Sequence, residues 1–309
     1  LAKQYAESKQ SRGRSAGHVK DLKFRLKKFG EKFGKRLVHE ISGEQVEKWI
    51  ESMKLTRGVG ADGESQTISV GSQANYWRNL SSFFSYAVAN GHAALNPLEG
   101  RERPQVPTGE VGILSVDELT RVLSVADERI IPALVLGAFA GLRPEAETIL
   151  LNWEDINLDK VLDEHKSTKR KPVYKSFGYV NVRRSKNKAS VRHVPISENL
   201  HDWLIDRKPA TGGPVVPVAK NYLAELRQAA AIEAGVEWPH DALRHSFASY
   251  HRAAHQSDHL TMTLLGHTNM RTFKVHYCHS LPPGAAESYW NIFPTVRGER
   301  KIVPLAAAG

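Results

Sequence analysis

Cysteine is nearly absent from this 309-residue chain, with Cys278 standing alone. That excludes an internal disulfide and a cysteine-rich zinc site, and it fits a reducing compartment. No apolar run approaches the ~20 residues that cross a bilayer. The most apolar stretch, Ile130 to Leu142, is cut off by Arg143. There is no GxxxxGK[ST] loop and no GxGxxG, so nothing points to nucleotide hydrolysis or dinucleotide binding. Histidines gather between His240 and His279, but no HExxH is present and carboxylates do not interleave at ligand spacing, so neither a metal nor a cofactor is expected. No internal repeat and no low-complexity tract is visible. The chain opens at Leu1 with charged sequence rather than a signal peptide, so a fragment of a cytoplasmic protein is expected.

Acidic residues are in deficit. Asp plus Glu number 33 against 43 Lys plus Arg, a net charge of +10. This balance calls for a polyanionic partner, nucleic acid first and an anionic membrane second. The excess is local: residues 1–36 carry 12 Lys/Arg and 3 Asp/Glu. Within that stretch Val19, Leu22, Leu26, Phe29 and Phe33 recur at helical spacing, while Lys20, Lys23, Lys27 and Lys28 lie largely off the stripe. Such a basic face is ordinarily just solvated; the local charge excess turns the reading towards phosphate contact.

Local signals divide the chain. Ser42 and Gln45 form a capping box before Val46, Trp49, Ile50 and Met53. Residues 55–66 read as a polar, Gly-rich loop. Val70, Ala74, Trp77, Leu80, Phe84 and Ala87 mark a long helix closed by Asn90-Gly91. Residues 1–98 are therefore expected to be a small all-helical domain. Pro97, Pro104 and Pro107 sit among charged residues and give the best boundary, with a linker over 99–112. Beyond it, over 113–309, Ser115 and Glu118 cap a helix through Val116, Leu119, Val122 and Leu123, and 130–151 holds buried helix. Tyr179–Val182 and Val191–Ile196 read as strands joined by a basic loop, and helices are expected over 218–234, 241–254 and 258–265. The fold class is mainly α with a small β-hairpin or sheet, that is, α+β.

Several polar residues sit where packing alone would not ask for them. Arg143 ends an apolar helix and must find an anion or a carboxylate, Glu145 or Glu147. In His240-Asp241-Ala242-Leu243-Arg244-His245 a helix would put His240 and Arg244 on one face and turn Leu243 inwards, with Phe247 one turn on. Leu264-Leu265-Gly266-His267 follows, and Tyr277 stands ten residues later. Each taken singly has an ordinary explanation: a structural ion pair, surface polar residues, a packing tyrosine.

Together and in this order, with a basic hairpin between the first two, they resemble the tyrosine recombinase (phage integrase) family over nearly the whole chain. The resemblance implies a helical core-binding domain followed by a catalytic domain. It also implies roles: Arg143 and Arg244 as the two arginines that clamp the scissile phosphate, His240 as the motif histidine that takes a proton, His267 as phosphate support, and Tyr277 as nucleophile. The general-acid lysine falls in Ser185-Lys186-Asn187-Lys188, with Lys186 favoured and Lys188 the alternative; His245 matches a frequent but less essential position. Three features depart from the family pattern. The acidic residue usual three after the first arginine is replaced by Ala146, between Glu145 and Glu147. The interval from His267 to Tyr277 is about one residue long. Two lysines compete for one role.

The implied chemistry is a site-specific recombinase forming a 3′-phosphotyrosyl intermediate on double-stranded DNA, as a synaptic homotetramer. DNA would be held by Lys20, Lys23, Lys27, Lys28, Arg183, Arg184 and Lys188. The alternatives are a DNA-binding relative that no longer cleaves, and a type IB-like topoisomerase. After Tyr277 the resemblance raises two options for Tyr289, Trp290, Ile292 and Phe293: docking on a neighbouring subunit, or packing on their own domain.

Overall fold

The computed structural model describes residues 1–59, 65–106, 112–168, 172–183, 191–267, 270, 273, 281 and 284–294. Lys186, Lys188, Arg184 and Tyr277 lie outside the described residues. The fold is α+β, in two compact units, Leu1–Gly109 and Glu110–Gly309. No helix among the described residues is long and apolar enough to cross a membrane.

The first unit is built on α1 (Ala2–Ser11), α2 (Ala16–Phe33), α3 (Gly43–Glu51) and α4 (Val70–Ala89). Helix α2 buries the five apolar residues of its stripe. Ser42 and Gln45 make the reciprocal capping box that opens α3. Helix α4 stops at Asn90, with Gly91 in the left-handed region at φ +72°. The core is strongly aromatic: Phe29 meets Phe33, Trp49, Phe83 and Phe84 edge-on or tilted. Leu98 is buried in it, and Arg101 pairs with Glu47.

Two expectations for this unit need correction. It is not all-helical, and 55–66 is not simply a loop. Lys54–Val59 (β1) pairs antiparallel with Ser65–Thr67 (β2), Lys54 opposite Thr67, with a register irregularity between. Leu55 and Thr56 have strand propensity, but Gly58 and Gly60 masked the alternation that would have betrayed a hairpin.

In the second unit, α5 (Val116–Val125) is opened by the Ser115–Glu118 box. Helix α6 (Ile131–Ala140) is buried at every residue and packs on α7 (Glu198–Ile205) and α9 (Ala242–His255). The remaining helices are α8 (Lys220–Glu233), α10 (Asp258–Leu265) and α11 (Ala285–Trp290). Short strands β3 (Ile156–Asn157), β6 (Tyr179–Val182) and β7 (Arg192–Pro195) form one antiparallel sheet in the order β3-β6-β7, and β4 (Val161–Leu162) pairs with β5 (Tyr174–Ser176). Val180 faces Val194 and Val182 faces Arg192 across the β6–β7 pair. Side chains two apart in a strand share a face, so Arg192 points the same way as buried Val194.

The tail residues of the described chain pack on their own unit rather than standing exposed. Tyr289 is wholly buried, stacks on Tyr250 at 3.9 Å between ring centres, and donates its hydroxyl to the Ala138 carbonyl at 2.8 Å. The Ile292 carbonyl accepts from the Trp203 indole at 3.0 Å. The aromatic residues looked exposable because α11 is short and follows a polar stretch. The Tyr289 hydroxyl and the Ile292 carbonyl nevertheless find partners on α6 and α7. Tyr289→Ala should cost about 3–5 kcal/mol, as large-to-small changes in a closed core do, read as a lower urea midpoint at unchanged slope; a change below about 1 kcal/mol would place this segment off the core.

Candidate active site

Three arginines converge on one carboxylate. Arg143 follows α6, whose last turn is closed by Gly141 in the left-handed conformation at φ +65°. The Arg143 carbonyl then accepts from the amides of Glu147 (2.8 Å) and Thr148 (3.1 Å). This tight turn brings Glu147 back against Arg143. The Arg143 guanidinium donates to Glu147 Oε1 at 2.9 Å and its amide to Oε2 at 3.1 Å. Arg192 of β7 grips both oxygens of the same carboxylate, Nη1 to Oε1 and Nη2 to Oε2, each at 3.2 Å. Arg244 of α9 brings Nη1 to 3.9 Å from Oε2. The Glu147 side chain is fully buried. Burial by itself would raise its carboxyl, but the fork of Arg192, the Arg143 amide and the charge of Arg244 overcome it and hold the group down at about 2.

Two helix ends supply the rest of the frame. Arg244, 1 % exposed, donates Nη1 to the Gly141 carbonyl at the end of α6 and Nη2 to the Leu265 carbonyl at the end of α10. Arg192 donates Nε to the adjacent Leu264 carbonyl. Helix C-termini carry orphan carbonyls and partial negative charge, so cations belong there. Gly266, φ +67°, ends α10 and turns the chain into His267. The glycines of both motifs thus have a mechanical reason. A Cβ on Gly141 would come within 2.5 Å of Phe247 Cδ1 and 2.8 Å of Leu265 Cδ2. Gly141→Ala therefore combines a left-handed alanine, about 1–2 kcal/mol, with a clash between α9 and α10. Its thermal midpoint should drop by several degrees, and a wild-type melt would rule out this close packing.

The histidines divide. His267 is held down at about 4, first by burial and then by the charges of Arg244, Arg143 and Arg192, with Glu147 opposing. At neutral pH it is an uncharged imidazole beside cations. His240 does not share a helical face with Arg244. Asp241 takes a left-handed conformation (φ +52°) and α9 begins only at Ala242, so His240 stands on the preceding turn, 95 % exposed, 3.7 Å from Asp241. Leu243 and Phe247 are buried as expected, and so is His245.

Of the residues expected at the site, Arg143, Arg244 and His267 come together through Glu147 and the α10 terminus, and His240 is left at solvent. Glu145 is elsewhere, paired with Arg227 at 3.0 Å and near Lys220. Arg183, 64 % exposed, pairs with Asp155 at 3.0 Å. On α2, Lys20, Lys23 and Lys27 are exposed, and Lys28 is half-buried against Glu31. The sequence leaves one member of the cluster open between two candidates and gives no place to another, Arg192. Glu147 was one of two candidates and lay four rather than three positions after Arg143. Arg192 had a signal, an arginine on the core-facing parity of a strand, which the emphasis on the loop before it concealed.

No protein-family model matches the chain. It is 27 % identical over 254 residues to tyrosine recombinase XerC of Vibrio cholerae, covering 79 % of this chain and 78 % of that one. To tyrosine recombinase XerD of Rickettsia bellii it is 23 % identical over 260 residues, covering 76 % and 79 %. The structure resembles a lambda integrase dimer bound to a COC′ core site, with a TM-score of 0.63 and 16 % identity over 98 % of this chain and 97 % of that one. It also resembles a lambda integrase tetramer bound to a Holliday junction, at 0.62 and 16 % identity, covering 87 % and 76 %. Over more than three quarters of its length the chain is thus similar in sequence to tyrosine recombinases, and in fold to lambda integrase.

The second unit should lose stability on mild acidification. His251, buried and hydrogen-bonded to Thr261 Oγ1, is held down at about 4 by burial and by His255. Both His251 and His267 are neutral when folded and titrate near 6.5 when unfolded. The unfolded chain thus takes up protons first as pH falls from 6.5 towards 4, and stability declines across that window. The depressed Glu147 acts only lower, its contribution being present above about 4.5 and lost as pH falls towards 2. The urea midpoint should fall between pH 7 and pH 5, and His251→Gln should flatten that fall; an unchanged slope in the variant would remove His251 from the effect.

Proposed function

We propose that this protein is a site-specific DNA recombinase that cuts and rejoins strands through a covalent 3′-phosphotyrosyl intermediate at Tyr277. The observation that carries the reading is the cluster of Arg143, Arg192 and Arg244 around a single carboxylate. Three guanidiniums against one anion leave a positive excess, and neutral His267 adds none. A phosphodiester passing through a pentavalent transition state gains negative charge on its non-bridging oxygens, which preorganised guanidiniums stabilise most strongly where water is excluded.

On this reading Arg143, a third of whose side chain is exposed, meets the phosphate directly. Arg244 contributes charge from behind and fixes the two helix ends. His267, uncharged at working pH, donates or accepts a hydrogen bond without raising the cost of the buried cations. Tyr277 Oη attacks phosphorus, and the P–O5′ bond breaks. A tyrosine hydroxyl near ~10 needs a base, and His240 is the candidate to receive its proton. Lys186, or else Lys188, returns a proton to the departing 5′-oxygen. The phosphotyrosyl bond conserves the energy of the broken linkage, so a second 5′-hydroxyl can attack it and release Tyr277 without ATP.

Exposed Lys20, Lys23 and Lys27 on α2, with Lys28, Arg183, Arg184 and Lys188, neutralise backbone phosphates and make affinity salt-dependent. Two recombination sites held by four copies of the chain complete the proposed assembly. It is in keeping with the lambda integrase tetramer on a Holliday junction.

The test is an SDS gel of the protein with labelled DNA from the ends of its host element, nicked near the junction to trap the intermediate. Wild type should give an SDS-resistant adduct and Tyr277→Phe none, while a native gel shows both binding DNA. Bound DNA with no adduct in either lane would favour a non-cleaving DNA-binding protein. Plasmid relaxation with no junction product would favour a topoisomerase.

A further inference from the structure

Arg192 contributes only charge to the reaction as described, yet its guanidinium is engaged at every nitrogen. It is 7 % exposed, and all three guanidinium nitrogens have assigned acceptors: Glu147 Oε1, Glu147 Oε2 and the Leu264 carbonyl. We infer that Arg192 is a positioning residue, which orients Arg143 through Glu147 and ties strand β7 to the turn that carries His267. This rests on the proposed function and adds a residue to it.

The argument is geometric. Arg143 alone gives each oxygen of the Glu147 carboxylate one donor; the parallel fork from Arg192 adds a second to each and fixes the carboxylate plane. With that plane fixed, Oε1 is aimed at the Arg143 guanidinium and Oε2 at the Arg143 amide. Arg143 is partly exposed and would otherwise sample several rotamers. The same arginine holds the Leu264 carbonyl while Arg244 holds that of Leu265, so the last turn of α10 is set by two cations, one of them Arg192. Strand β7 is also the one that follows the Lys186–Lys188 segment in sequence. One residue thus links three parts of the proposed machinery.

The groups facing Glu147 are Arg143 on its own turn, Arg192 on β7, Arg244 on α9 and His267 after α10. Glu154, Asp155 and Arg183 line the cavity of about 270 Å³ on its open side. Removing Arg192 takes away the strongest of the influences that keep buried Glu147 ionised. The carboxyl then rises towards the range set by burial. A protonated Glu147 can no longer accept from both Arg143 donors. The sign follows: loss of Arg192 should create a requirement for high pH that wild type lacks.

The experiment is single-turnover cleavage of the nicked DNA from pH 5 to 9, with wild type, Arg192→Gln, Arg192→Lys and Arg192→Gln combined with Glu147→Gln. DNA affinity is measured alongside on native gels. Arg192→Gln should bind DNA as wild type does and show a new rising limb, cleaving about ten-fold slower at pH 5.5 than at pH 8 relative to wild type. The double variant should lose that limb, since nothing remains to titrate at position 147. Arg192→Lys keeps the charge without the fork and should show a weaker limb; it carries the test if Arg192→Gln does not fold. A profile parallel to wild type in the folded variants, whatever the absolute rate, would overturn the inference. No adduct from wild type at any pH would instead overturn the recombinase reading itself.

Discussion

A carboxylate buried among guanidiniums is the constraint on which the second unit is organised. Glu147 has no exposed side-chain surface, and a lone ion there would be prohibitively costly. Its neighbours are equally unable to stand alone, since Arg192 and Arg244 are also buried. The four charges are therefore obligatory to one another, and they come from three separate parts of the chain. Arg143 and Glu147 lie after α6, Arg192 on β7 and Arg244 on α9. Breaking a buried pair by removing one partner typically costs 3–5 kcal/mol, so the charges bind sheet, turn and helices into one arrangement as firmly as apolar contacts do.

Geometry at the helix ends follows from the same need. Arg244 has more donors than Glu147 can accept, and it spends two on the carbonyls of Gly141 and Leu265. Those carbonyls are open because both helices stop at left-handed glycines. Here capping and charge satisfaction are one event: the orphan acceptors of α6 and α10 are the partners that let an arginine be buried. The neighbouring imidazole of His267 is kept neutral by burial and by these cations. It offers hydrogen bonding beside the guanidiniums without adding to their repulsion.

Much of this was legible in the sequence. Spacing of Val19, Leu22, Leu26, Phe29 and Phe33 gives α2 and its buried face, and the boxes at Ser42 and Ser115 give two helix starts to the residue. The β6–β7 strands and α8 to α10 follow from alternation and helical period. What was not legible came from turns. Between Arg143 and Thr148 the backbone folds on itself, so position four rather than three returns to the arginine. At Asp241 a left-handed residue breaks the helical phase and separates His240 from Arg244. Such conformations at non-glycine residues leave little trace in composition. The β1–β2 hairpin was hidden by glycines, and Arg192 by the ordinary expectation that an arginine near a loop faces solvent. Motif order located the site; the long-range pairing that assembles it, from Glu147 to Arg192 45 positions away and to Arg244 97 positions away, could not be read from local pattern.

The cluster also bears on why a site for an anion can be kept ready without its ligand. A group of bare arginines would repel one another and disperse. Glu147 neutralises one of the three charges and the helix carbonyls disperse part of the rest, so the group remains assembled and still cationic. Arg143 is the member with the smallest share of that compensation in its exposure: its guanidinium touches Glu147 with one nitrogen and is partly open to solvent, whereas Arg192 and Arg244 face inwards. The field of three guanidiniums is thus presented through one. An incoming phosphate would meet donors already oriented, with their reorganisation cost met during folding, and that is the condition under which electrostatic stabilisation of a transition state is most effective.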